Sequence, residues 1–267
     1  MEKQISENIK AHNRLADKYE SRHPEIYNEI EQARLKDSLR LAVESIQTEN
    51  SEKKVLDFGC GAGNLTKYLL ELGVNVVAAD LAPEFLRLVE NRFNHAAKLR
   101  TAEINGVDLR NFADNEFDLV SIFSVLHHVP DYLSILREFV RVTKPGGIIF
   151  IDREMNENYW SDNLELKKLY SYKTIQKSWT RFLKLQTWIN RFKKFQNPRF
   201  QEEGDIHVWP DDHINQNEVD SVLLESCEIV RDLNYLHFDS RYPKDLWQEV
   251  SSRLNDTRCL IVRKVKK

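Results

Sequence analysis

The chain is poor in cysteine, with only Cys60, Cys227 and Cys259 in 267 residues. They are widely separated, odd in number and form no Cys-x-x-Cys pair, so neither a disulfide framework nor a thiolate zinc site is signalled. Small buried residues are the plainer reading of all three. Long apolar runs are missing as well. No stretch approaches the roughly 18 residues that a membrane span needs. The first residues, Met-Glu-Lys-Gln-Ile-Ser-Glu-Asn, have no apolar core and no cleavage site, so a cytoplasmic enzyme without a targeting signal is expected. Nor is there an excess of charge. A net charge of -3 gives no overall pull towards nucleic acid or an anionic membrane, and any such partner must be met by a local patch. Repeats and low-complexity tracts are absent, and 41% hydrophobic content over 267 residues suits one core with an accessory region rather than two full domains.

What is present centres on Lys53 to Lys67, Lys-Lys-Val-Leu-Asp-Phe-Gly-Cys-Gly-Ala-Gly-Asn-Leu-Thr-Lys. Val55, Leu56 and Phe58 read as a buried strand. Gly59, Gly61 and Gly63 interrupt it, and Leu65, Leu69 and Leu72 resume at helical spacing. Such a turn lets backbone approach a ligand, and the helix start beyond it offers N–H groups to an anionic or carboxylate-bearing one. A dinucleotide fingerprint requires G-x-G-x-x-G. Here its last position is Asn64, and Asp57 precedes the loop, where an acid would repel a pyrophosphate and attract an amine. The ligand should therefore carry an amino group as well as a nucleoside.

The segment Asp57-Phe-Gly-Cys-Gly-Ala-Gly resembles the first motif of class I S-adenosylmethionine (SAM) dependent methyltransferases. The likeness continues for about a hundred residues: Val74 to Asp80 as a second strand ending in an acid, Phe117 to His128 as the fourth strand and its loop, and Leu136 to Ile151 as the next helix and fifth strand. The resemblance implies a Rossmann-like, doubly wound α/β fold. Its seven-stranded sheet would be mostly parallel with the last strand antiparallel, joined by N-terminal helices and a helical insertion. It also implies SAM as methyl donor and S-adenosylhomocysteine as product. Asp57, Gly59, Cys60, Gly61 and Gly63 would hold the amino acid end, Asp80 the ribose, and Gly106, Val107 and Asp108 the adenine, with Leu81 a further cofactor-binding residue. Phe123 would line the methyl channel and Tyr19 would act as a lid. Alternatives stay open: Asp80 as a helix cap, Tyr19 as a packing aromatic, and the adenine contact as either the Gly106-Val107 backbone or the Asp108 side chain.

The remaining chain is expected in four parts. Residues 1–50 form a helical cover, with a second helix from Pro24 to about Gln47, and 51–154 the SAM-binding core. Residues 155–212 form a basic and aromatic helical insertion beside the acceptor, and 213–267 complete the core. In the insertion, Lys167 to Arg199 holds ten basic residues, no acid and seven interleaved aromatic rings. It reads as an amphipathic lid, or as a platform for an acceptor at a membrane surface. Against nucleic acid, the fourth strand is followed by Phe-Ser-Val-Leu-His and lacks the motif of amino-directed DNA methyltransferases.

His127, His128, His207 and His213 are the candidate bases, with a capping role open for the first two. Residues Gln201 to His213 concentrate five acids around His207 and His213. This cluster could take a divalent cation, orient an acceptor, or be a solvated loop paired with the basic stretch; no metal is assigned. Alternation of Asp205 and His207 about Ile206 would put both on one strand face. The expected activity is methyl transfer to a small-molecule acceptor, on oxygen or nitrogen of a sugar, lipid-linked or secondary metabolite. The alternative is a non-catalytic SAM-binding protein acting through its basic insertion.

Overall fold

The structure, a computed structural model, describes residues 23–175, 194–195, 197, 199 and 205–265. The first expected helix, Tyr19 and most of the basic amphipathic stretch lie outside the described residues. Within them, helix α1 (Glu29–Glu44) precedes strand β1 (Lys54–Phe58), helix α2 (Asn64–Glu71) and strand β2 (Asn75–Asp80). Helix α3 (Pro83–Arg92), strands β3 (Leu99–Glu103) and β4 (Phe117–Phe123), helix α4 (Tyr132–Val142) and strand β5 (Thr143–Met155) follow. Beyond come helix α5 (Leu164–Ile175), the short strands β6 (Val208–Trp209) and β7 (Asp212–His213), and helix α6 (Gln216–Leu224). Strand β8 (Cys227–Tyr235), helix α7 (Lys244–Ser251) and strand β9 (Thr257–Lys264) close the fold.

The seven-stranded sheet runs β3-β2-β1-β4-β5-β9-β8. Strands β1 to β5 pair in parallel, and β9 runs antiparallel between β5 and β8. The central strands are nearly continuous in apolar residues because helices cover both faces. On one face Leu136 and Phe139 of α4 and Leu223 of α6 meet Leu56, Val120 and Ile149. On the other, Leu35 and Leu39 of α1 and Leu69 of α2 meet Val55, Leu119 and Phe150. Strand order reverses between β1 and β4, the place where sheets of this kind leave a crevice at the carboxyl ends of their strands.

Three local expectations are corrected. Helix α1 starts at Glu29, not Pro24, because Asn28 caps it: its side-chain oxygen accepts the Glu31 N–H at 3.0 Å. Residues Asp205 to His207 form no strand; the N–H groups of Ile206 and His207 donate to the His127 carbonyl at 3.2 and 3.1 Å, so pairing with that loop replaces a ladder. Strand β5 outruns its sequence pattern through Met155, with a bulge between Asp152 and Glu154 and Arg153 at φ +65°. Buried Asp152 there accepts from Arg34 Nη1 on both oxygens, at 3.2 and 2.9 Å, and from the Tyr235 hydroxyl at 3.0 Å, which fastens α1 to the end of the sheet.

Candidate active site

The glycine loop follows directly from β1. The N–H groups of Gly59 and Cys60 both donate to the Ala79 carbonyl, at 2.8 and 3.0 Å, and pull the loop over β2. Gly59 has φ +68°, and a Cβ there would lie 2.6 Å from Val125 Cγ1, so only glycine fits. Gly61 is the opposite case: a Cβ would meet only the Gly59 carbonyl oxygen, at 4.0 Å, so its face is open to a ligand. Gly63 is the N-cap of α2 with no side-chain cap, and the buried Asn64 Nδ2 beside it has no hydrogen-bond partner among the described residues.

Two acids flank this loop. Asp80 at the end of β2 accepts the Gly61 N–H at 2.9 Å and the Ala82 N–H at 2.8 Å, one on each oxygen. It therefore caps the turn into α3 and ties the loop. Asp57 is 1% exposed and accepts the Thr66 hydroxyl at 2.6 Å. Burial pushes its carboxyl up to about 7 despite Thr66, with the Asp80 charge adding to the rise.

The crevice has two connected lobes. Asp57, Gly59, Cys60, Gly61 and Phe123 line one, together with Asn64 and Tyr27. Gly59, Gly61, Asp80, Leu81 and Gly106 line the other, with Ile104 and Phe85. Val107 is exposed and lines neither. Asp108 is also outside the lining and binds the Arg110 guanidinium, which holds its carboxyl down at about 2. Asn64 and Tyr27 were not singled out from sequence; the position of Asn64 just after the third glycine was the available signal.

A second cavity of about 310 Å³ opens beside the crevice and shares Ser124 and His128 with it. Six of the chain's eight histidines line it: His23, His127, His128, His207, His213 and His237. Ser124, at φ +57°, turns the chain out of β4 into a short 3-10 turn over Leu126–His128. Glu154 holds that turn by accepting the Val125 and Leu126 N–H groups, at 3.1 and 2.8 Å on one oxygen, and His127 Nδ1 at 2.9 Å on the other. Burial disfavours charge on His127, but Glu154 and Asp205 outweigh it and raise the imidazole to about 9. His127 is thus protonated at neutral pH.

All four expected histidines meet in this cavity, each beside a carboxylate. His128 Nδ1 lies 3.3 Å from Asp205, and His213 Nε2 lies 3.2 Å from Glu157. His207 Nδ1 is 2.6 Å from Asp212, and its buried Nε2 has no hydrogen-bond partner among the described residues. A carboxylate on one ring nitrogen of a histidine in a cavity wall is an arrangement that orients a general base. Arg199 from the basic stretch pairs with Asp211, so part of the acidic loop is neutralised as a solvated pairing would have it. Arg153, Glu154, His23 and His237 come from segments that sequence spacing did not connect to the others.

A family model described as a methyltransferase domain matches residues 56–151. A ubiquinone biosynthesis O-methyltransferase of Xanthomonas oryzae pv. oryzae is 34% identical over 114 residues, which cover 42% of this chain and 48% of that protein. The chain thus spans about half the length of the curated relatives it matches. The N-methyltransferase NodS of Bradyrhizobium japonicum, solved with S-adenosylhomocysteine, superposes with a TM-score of 0.55 over 90% of each chain at 16% identity. A SAM-dependent methyltransferase of Methanosarcina mazei superposes with a TM-score of 0.52 over 82% of this chain and 95% of that one, at 18% identity. At such identities these structures speak for the fold. Sheet order, glycine loop and family match agree: residues 56–151 match a methyltransferase domain, and the seven-stranded sheet is the fold of the SAM-dependent methyltransferases on which it superposes.

Proposed function

We propose that the protein transfers the methyl group of SAM to a hydroxyl of a small-molecule acceptor held in the histidine-lined cavity. The observation that carries this reading is the junction of the two spaces, where Ser124 and His128 belong to both the glycine-loop crevice and the cavity. The crevice suits SAM chemically. Asn64 Nδ2 and the first N–H groups of α2, which Gly63 has no side chain to cap, offer donors to a carboxylate, while Asp57 is assigned to an ammonium and Asp80, at the end of β2, to the ribose hydroxyls. The backbone at Gly106 is assigned to adenine, since Val107 and Asp108 lie outside the lining and Asp108 is already held by Arg110. When bound, SAM supplies a methyl group on a positively charged sulfur, so the protein's task is alignment and exclusion of water.

His207 is assigned as the base that takes the acceptor proton, with Asp212 occupying its Nδ1 side in the cavity wall and Nε2 without a hydrogen-bond partner among the described residues. His127, already protonated, instead offers positive charge at the cavity wall. A volume of about 310 Å³ is at the small end for ligand pockets, which suits a single ring or sugar. The relative named as an O-methyltransferase supports oxygen as the accepting atom. Residues 155–212 contribute Met155, Tyr159, Trp160, Asp205 and His207 to the wall, which supports their assignment as an acceptor-side insertion between the 51–154 core and its completion in 213–267. No helix among the described residues is long and apolar enough to cross a membrane. A cytoplasmic setting is supported by three buried cysteines without disulfides.

The test is methyl transfer from isotope-labelled SAM into the small molecules of a cell extract by the parent protein and by His207→Ala. Calorimetry is expected to show unchanged SAM binding in the variant. Labelled product is expected to fall about 100-fold or more, the share general-base catalysis supplies. Full turnover in the variant removes His207 from the role, and no SAM binding by the parent overturns the whole reading.

A further inference from the structure

We propose that His127, His128 and Asp205 form a binding site for one divalent transition-metal ion in the wall of the acceptor cavity. One donor atom from each residue lies within 4.8 Å of the other two. Three donors on a tetrahedral ion with bonds of about 2.1 Å sit about 3.4 Å apart, so side-chain rotation suffices to close the set.

The scaffold around the trio is fixed at both ends. Glu154 grips His127 Nδ1 at 2.9 Å, the carboxylate–histidine contact that orients a metal-binding imidazole and leaves its other nitrogen to the ion. The same carboxyl group anchors the turn that presents His128. Asp205 comes from far along the chain, yet the following two residues donate their N–H groups to the His127 carbonyl, at 3.2 and 3.1 Å. The carboxylate is therefore clamped to the histidine pair by backbone. All three side chains are only partly buried, at 18%, 16% and 23% exposure, so an ion can reach them.

Two imidazoles and one carboxylate select a borderline ion such as Zn²⁺, Co²⁺ or Fe²⁺ over Mg²⁺ or Ca²⁺, which take oxygen donors. Three protein donors beside a cavity of about 310 Å³ leave coordination positions open, as in metal sites that handle substrate. The ion takes the place of the proton that His127 otherwise holds, so the positive charge of this wall is kept. What the ion does there rests on the methyltransferase reading: an acceptor hydroxyl at an open position is oriented and becomes a stronger acid, easing its loss of a proton to His207. That the ion binds does not depend on it.

The experiment titrates Co²⁺ into chelator-treated full-length protein, followed by calorimetry and visible absorption, with SAM binding measured in parallel. Expected are one equivalent of Co²⁺ with the absorption of a mixed nitrogen and oxygen site, and at least about tenfold weaker binding in both His127→Ala and Asp205→Ala. Neither residue lines the SAM crevice, so retained SAM binding shows that the variants fold. Asp205, on a loop, is the safer of the two. Binding no tighter than millimolar in the parent, or binding that survives both substitutions, overturns the site. Co²⁺ bound without any SAM binding upholds the site and removes the methyltransferase reading instead.

Discussion

SAM affinity should depend on pH through Asp57. Its carboxyl is buried, receives the Thr66 hydroxyl and is raised to about 7 from the 3.8 of a free aspartate. The folded-state value lies above the unfolded one, so its contribution to stability is fully present below about pH 4 and is lost as pH rises through 7. Once the group ionises, the loss amounts to about 4 kcal/mol. An ammonium group in the crevice reverses the preference, because an adjacent positive charge favours the carboxylate. Binding then expels a proton from Asp57, and affinity follows the ionised fraction of the free protein. Between about pH 5.5 and 7.5 that fraction rises roughly 20-fold, or about 1.8 kcal/mol in binding. Calorimetric titration in two buffers of different ionisation enthalpy reads both the affinity and the proton released. Asp57→Asn keeps the side-chain shape and should flatten the dependence. Parent affinity that varies less than about twofold across this range refutes the assignment of Asp57 to the amine.

Gly59→Ala is expected to destabilise the fold by about 2–5 kcal/mol, from a left-handed φ and a methyl group driven against stiff Val125. Urea unfolding measures that loss, and SAM binding should disappear in the same samples. Asp256 predicts an acid-sensitive step. Although burial opposes its charge, the His237 ring at 2.9 Å and donors including the Tyr170 hydroxyl hold its carboxyl down at about 2. That stabilisation is present above about pH 4 and is lost as pH falls through 2, about 2 kcal/mol in all. Asp256→Asn should therefore lose less stability than the parent between about pH 5 and 3, as read from urea midpoints.

The donor half of the site was legible because its signals are local. Asp57, the three glycines and Asp80 lie at strand ends whose apolar runs are plain in the sequence, and neighbouring residues determine the turn. The acceptor half was legible only as a list of residue types. His127, His128, His207 and His213 were visible, but their partners were not: Glu154 reaches His127 only because β5 bulges beyond its apolar run, and Asp205 reaches His128 through the backbone contact of Ile206 with His127, 79 positions apart. Pro24 suggested a helix start by its fixed φ, yet an Asn four residues later supplies the capping oxygen and prevails. His23 and His237 carried no pattern at all and enter the cavity by packing.

The two spaces are built from different stretches of chain, and this bears on how such a protein diverges. The donor crevice draws on the region matched by the family, 56–151, apart from the neighbourhood of Tyr27. The acceptor cavity takes most of its wall from residues 23–26, 153–160, 205–214 and 237. Substitutions in those outer segments, Glu154 with its hold on the Val125 turn excepted, reshape the cavity without touching the glycine loop. Selection on one half is thus largely uncoupled from selection on the other, and a lineage can exchange acceptors while its transfer machinery stays constant.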